Sequence, residues 1–150
     1  MTLNKLVEDA AADGAGKIGL NNGYRSYDLQ VRTYNGHVQT MGKEWADSES
    51  ARPGHSEHQT GLAFDVVACN PTCGGIQEFG GTPQSDWVAE HAWEYGFIVR
   101  YEDGRQGTTG FVYEPWHLRY IGKELAKAYH EGGFETLEEF FKLPKAPDYS

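Results

Sequence analysis

The chain has 150 residues, 39% of them hydrophobic, and its 22 Asp and Glu outweigh 13 Lys and Arg to give a net charge of −9. That length suits one ordinary domain, able to bury roughly two thirds of its unfolded surface without a disulfide scaffold. The acidic balance argues against a nucleic-acid backbone or an anionic membrane surface as the main partner, and no apolar run approaches the ~20 residues of a membrane span.

Met1-Thr-Leu-Asn-Lys-Leu6 lacks the apolar core of a secretory signal, leaving a cytoplasmic protein or a trimmed mature domain. Residues 3–13 then place Leu3, Leu6, Val7 and Ala10 at helical spacing and stop at Gly14 and Gly16, predicting a first helix. A short strand follows over Lys17–Asn22. The Gly23-Tyr-Arg-Ser26 turn leads into a second helix through Leu29, Val31 and Tyr34, with Ser26 as N-cap and Asp28 in its first turn. The polar stretch over about 42–54 reads as loop. After Gly61 comes Leu-Ala-Phe-Asp-Val-Val-Ala68, short, apolar and partly β-branched, a strand that bears Asp65.

A Gly- and Pro-rich loop covers 70–83. Cys69 and Cys73 flank Asn-Pro-Thr where it begins: a local disulfide fits an exported protein and two idle thiols a cytosolic one, and the disulfide is preferred. A helix is predicted over about 85–95, with Trp87, Val88, Ala92 and Trp93 as its apolar positions, and a strand over 97–101 after the Gly96 break. A turn at 104–110 precedes a strand over 111–120, in which Pro115 must occupy a bulge or an edge. Helices over 123–130 and 136–142 close the chain, the second with Thr136 as N-cap and Glu139 at the capping-box position. Helices and strands mix without the alternation of a doubly wound sheet, so residues 1–150 read as one α+β domain.

Two stretches carry chemistry: Arg52-Pro-Gly-His-Ser-Glu-His-Gln-Thr-Gly-Leu-Ala-Phe-Asp65 and Tyr113-Glu-Pro-Trp-His-Leu-Arg-Tyr120. A hydrolytic zinc takes three protein ligands at about 2.0–2.2 Å and keeps a fourth position for water. His58, Asp65 and His117 can fill that role, on a loop entering a strand rather than on one helix face. Glu114, three residues before His117, is spaced to act as a base without binding the metal. Pro115 and Trp116 stiffen the backbone and wall the site. Against this, a single loop histidine is more often solvated than metal-bound, and His117 with Glu114 can be a plain edge-strand pair. Asp65 is harder to dismiss, because a carboxylate in an apolar strand needs a partner to offset its desolvation. His55 is the rival ligand and reads as a loop residue; His37, His91 and His130 read as solvated or capping.

Ser56-Glu-His-Gln-Thr-Gly-Leu-Ala-Phe-Asp65 and Glu114-Pro-Trp-His117, with Gly23-Tyr-Arg-Ser-Tyr27, Gln30 and Tyr95-Gly-Phe-Ile-Val-Arg-Tyr101, resemble the zinc D-alanyl-D-alanine carboxypeptidases of the VanY type. The resemblance runs from about residue 3 to 141. It implies the fold shared by the Hedgehog signalling domain and the D,D-peptidases: α+β, a small antiparallel sheet flanked by helices with a zinc site on the sheet face. It implies that His58, Asp65 and His117 bind one zinc ion per chain and that Glu114 is the general base. Arg25 would face the substrate, polarising the scissile carbonyl or pairing with the free carboxylate, and Gln30 and Ser56 would complete the carboxylate pocket, with Trp116 as a wall. Taken without the resemblance, Arg25 reads as a surface ion pair with Asp28. The loop from Cys69 to Gly81 is the least family-like segment and lies where it can shape the substrate groove.

The expected activity is removal of the terminal D-Ala from peptidoglycan stem peptides or their precursors, by a monomer with no nucleic-acid partner and no membrane insertion. L,D-carboxypeptidase, D,D-dipeptidase and endopeptidase activities share these motifs; a Hedgehog-like domain that binds wall fragments without cleaving them is the reading from another class. Wall trimming and the cysteine pair favour the cell envelope, with a cytoplasmic enzyme acting on precursors as the alternative.

Overall fold

The computed structural model describes residues 2–146. In chain order its elements are α1 (Thr2–Ala12), β1 (Lys17–Asn22), α2 (Tyr27–Met41), α3 (Lys43–Glu49), β2 (Ala63–Cys69), α4 (Pro83–His91), β3 (Phe97–Tyr101), α5 (Gln106–Thr109), β4 (Glu114–Tyr120), α6 (Lys123–Glu131) and α7 (Leu137–Phe140), with 3-10 turns at Glu57–Thr60, Ile76–Glu78 and Ala92–Tyr95. The strands form one antiparallel sheet in the order β1-β2-β4-β3. Because strand side chains alternate between faces, Val66 and Leu118 enter the main core with Phe97, Trp87 and Val88, while Asp65 and His117 between them turn to the opposite face. Helix α1 closes the core side, burying the helically spaced Leu3, Leu6 and Ala10 against β1 and the turn at 92–95.

Local chemistry explains most boundaries. The Ser26 hydroxyl accepts from the Leu29 N–H at 3.2 Å to start α2, and the Thr136 hydroxyl accepts from the Glu139 N–H at 3.1 Å to start α7. Thr82 caps α4 in the same way, with Pro83 in the first turn, so this helix begins two residues before the predicted start and tightens into the 3-10 turn at 92–95. Gly96 has φ +84°, and a Cβ there would lie 2.9 Å from the backbone nitrogen of Lys123, so both its conformation and its packing demand glycine.

Three expectations are corrected. The 42–54 stretch is not all loop, since α3 occupies Lys43–Glu49; it shows no apolar stripe because its order comes from side-chain bonds, Asp47 accepting from the Tyr34 hydroxyl at 2.6 Å and from Arg52 Nε and Nη2 at 2.9 and 2.8 Å. The last strand begins only at Glu114, after the short α5. The terminal helix is shorter than 136–142, ending at Phe140. Pro115 meets the expectation of a bulge or an edge by the first route: it lies in a central strand, where the β3 pairing jumps from Val99↔Leu118 to Tyr101↔Glu114 and leaves it in an irregularity. Cys69 and Cys73 are joined in a disulfide. No helix among the described residues is long and apolar enough to cross a membrane.

Candidate metal centre

Register alone brings two of the candidate ligands together, because Asp65 on β2 and His117 on β4 are direct cross-strand partners. His58 comes from the turn at 57–60, which is clasped twice to the Gly23–Ser26 loop. The Arg25 N–H donates to the His58 carbonyl at 3.1 Å, and His58 Nδ1 donates to the Gly23 carbonyl at 2.8 Å. Gly61, at φ +73°, ends the turn by donating its N–H to the same His58 carbonyl. With Nδ1 engaged at the Gly23 carbonyl, His58 turns Nε2 toward Asp65 Oδ2, 3.3 Å away. His117 Nδ1 lies 3.5 Å from Asp65 Oδ1 and 3.4 Å from Glu114 Oε2. One donor atom each from the buried His58, Asp65 and His117 lies within 4.8 Å of the other two.

The residues present fit a zinc ion. Two imidazoles and one carboxylate make the donor set of an open hydrolytic site, and Asp65 Oδ1 is buried without a hydrogen-bond partner, a condition that a cation relieves. Burial disfavours charge on Asp65, but His58, His117 and Arg25 outweigh it and hold the carboxyl below its usual range. Burial also opposes an imidazolium at His117, yet Glu114, Glu57 and Asp65 lift its pKa to about 9; this cage favours positive charge where the metal would sit. Glu114 moves the other way, pushed up by burial against the opposing pull of His117, with Asp65 and Glu49 adding to the rise. Burial and neighbouring charges thus drive the two carboxyls in opposite directions.

These groups open onto a cleft of about 340 Å³ that is also lined by Arg25, Ser56 and Trp116. Arg25 turns inward: Nη2 lies 3.7 Å from Asp65 Oδ2, and Nη1 donates to Gln30 Oε1 at 2.9 Å. Gln30 itself is fully buried and donates to the Ala51 carbonyl at 2.6 Å and the Ser50 hydroxyl at 3.3 Å. It therefore braces Arg25 from behind, not as the pocket wall expected of it. Ile76 and Gln77 bring the loop after Cys69 to the cleft, as its position suggested, and His37 reaches the rim, its ring 5.4 Å from that of Trp45. His55 is exposed, His91 pairs with Glu94 and His130 stacks on Trp93.

Glu57 escaped the sequence reading. Its carboxylate accepts from Arg100 Nε at 2.9 Å, lies 3.0 Å from Arg119 Nη1 and faces His117 Nε2 at 3.4 Å. Burial would raise its pKa, but His117 and the two arginines overcome that and hold it ionised, well below the usual carboxylate range. The available signal was the pair of arginines in otherwise apolar strands, since buried guanidinium needs a counter-charge.

A buried His-Asp-His set with a free carboxylate beside it, on one face of a small helix-flanked antiparallel sheet, defines the Hedgehog/D,D-peptidase class of fold. The chain belongs to the VanY family, whose model, described as D-alanyl-D-alanine carboxypeptidase, matches residues 1–123. It is 36% identical over 142 residues to a D-alanyl-D-alanine carboxypeptidase of Enterococcus faecium, covering 95% of this chain and 42% of that protein. The solved structure of the L,D-carboxypeptidase DacB from Streptococcus pneumoniae matches with a TM-score of 0.83 and 41% identity, covering 99% of this chain and 77% of that one. A VanY D,D-pentapeptidase from a VanB-type resistance cassette, solved in complex with Zn(II), matches with a TM-score of 0.80 and 32% identity, covering 93% and 79%. The chain spans about half the length of the curated relatives it matches.

Proposed function

We propose that the chain is the catalytic domain of a zinc carboxypeptidase that removes the terminal D-alanine from peptidoglycan stem peptides, cutting the D,D bond of a pentapeptide. The observation that carries this reading is the placement of Glu114, 3.4 Å from His117 Nδ1 and in the cleft, yet outside the His58-Asp65-His117 donor set. One zinc ion held by those three residues supplies Lewis acidity for the attacking water and the scissile carbonyl. Glu114 accepts the proton of the water and returns it to the departing amine of D-alanine. The C–N bond breaks, the water oxygen becomes part of the new carboxylate, and the proton count closes. The raised pKa of Glu114 suits both halves of that exchange. Arg25, its fork braced by Gln30, pairs with the free carboxylate of the substrate, with Ser56 beside it and Trp116 excluding water. A wall substrate and the Cys69–Cys73 disulfide both favour work outside the cytoplasm.

Cleavage of the L,D bond of a tetrapeptide is the second reading, favoured by the higher identity to DacB, 41%, than to the VanY pentapeptidase, 32%. Mass spectrometry of products from a defined pentapeptide, a tetrapeptide and free D-Ala-D-Ala separates these outcomes: release of D-alanine from the tetrapeptide alone transfers the assignment to the L,D bond, and binding without release from any of them indicates a non-catalytic module. Glu114→Ala is expected to lower turnover by about 10²–10⁴-fold while zinc stays bound. Wild-type turnover in that variant would remove Glu114 as the base.

A further inference from the structure

Glu57 is a half-buried carboxylate, its Oε2 fully enclosed, that the proposed reaction does not use. One of its oxygens is occupied, Oε1 accepting from Arg100 Nε at 2.9 Å and lying 3.0 Å from Arg119 Nη1. Arg100 is gripped in turn by both oxygens of Glu138 on α7, at 3.0 and 2.6 Å, so the arrangement is anchored to the closing helix of the fold. The other oxygen, Oε2, has no hydrogen bond, and neither has His117 Nε2. These two orphaned buried atoms face each other at 3.4 Å.

An imidazole that ligates a cation through one nitrogen carries its proton on the other, and the group that accepts this proton sets the tautomer and the ring orientation. On His58 that acceptor is the Gly23 carbonyl. On His117 the nitrogen turned toward Asp65 and Glu114 is Nδ1, so ligation places the proton on Nε2, aimed at Glu57. We infer, on the reading that His58, Asp65 and His117 hold a metal, that Glu57 is a positioning residue of this centre: it accepts a hydrogen bond from His117 Nε2–H and thereby fixes that ligand, while Arg100 and Arg119 keep the carboxylate in place. Each orphaned atom then satisfies the other, which a carboxylate serving only to neutralise two arginines would not require.

The test uses the intact chain with zinc as the probe, titrated against a competing chromophoric chelator. Glu57→Ala is expected to weaken zinc binding by about 10–100-fold, and Glu57→Gln, which keeps an oxygen acceptor, by less. Wild-type binding with an alanine variant within about twofold of it, on the scale expected for such partners, overturns the role of Glu57 alone; a wild-type chain that fails to bind zinc sinks the metal reading and this role with it. If the alanine variant does not fold, the wild-type zinc complex still decides. NMR of the ring nitrogens is expected to show His117 protonated at Nε2 and His58 at Nδ1, and a proton on His117 Nδ1 overturns the assignment.

Discussion

Arg25 shows how much a single side chain in this cleft depends on its fork. One Nη donates to Gln30 at 2.9 Å while the other lies 3.7 Å from Asp65, which leaves the guanidinium oriented at the edge of the donor set. A lysine ammonium cannot hold both relations at once. Arg25→Lys is therefore expected to raise KM and to lower kcat/KM by about 10–100-fold, the worth of one charge-assisted hydrogen bond at roughly 1.5–3 kcal/mol; steady-state kinetics on a defined pentapeptide measure it, and unchanged kinetics would take Arg25 out of substrate recognition. His58, Asp65, Glu114 and His117 could be picked out from residue type and spacing, because metal chemistry narrows the usable donors. Glu57 could not, since its meaning depends on Arg100, Arg119 and His117, which only the packed sheet brings to it. Gln30 was picked out, but its partner was not: the bond to Arg25 turns it from a pocket residue into a brace.

Among the elements, α3 is the one that local pattern concealed. Its attachment to α2 runs through Asp47, which Arg52 and, to a lesser degree, Tyr34 hold in the ionised form against partial burial, lowering its pKa from an ordinary 3.8 to about 2. A folded pKa below the unfolded one means that the stabilisation is full above about pH 4 and is lost as pH falls through about 2. Asp47→Asn should therefore cost about 1 kcal/mol near neutral pH, and the gap in thermal midpoint between variant and wild type should close toward about pH 2. A gap that stays constant over that range would refute the assignment. Helices α1, α2 and α4 were readable in advance because each carries its own apolar spacing or cap; α3 carries neither and is ordered by bonds to other segments.

At the scale of the whole molecule, the candidate metal centre is a junction of the 57–60 turn, β2 and β4. A ligand that binds only the folded chain stabilises it, by about 2.7 kcal/mol at a concentration one hundred times Kd. Zinc is expected to raise the thermal midpoint, a chelator to reverse the rise, and His117→Ala to abolish it; calorimetry with and without chelator measures this, and a midpoint indifferent to zinc would count against the site. Local pattern was enough to mark an α+β fold and most of its elements, and donor spacing was enough to single out the four side chains that the structure brings together, because helical periodicity, capping and donor chemistry are local properties of a sequence. Tertiary structure decided what depends on partners distant in the chain: the pairing of Asp65 with His117, the inward turn of Arg25, the order of α3 and the enclosure of Glu57 between two arginines and a histidine. The physical reason is common to all four, since a buried charge or an unsupported helix is stable only when another segment supplies the group that completes it.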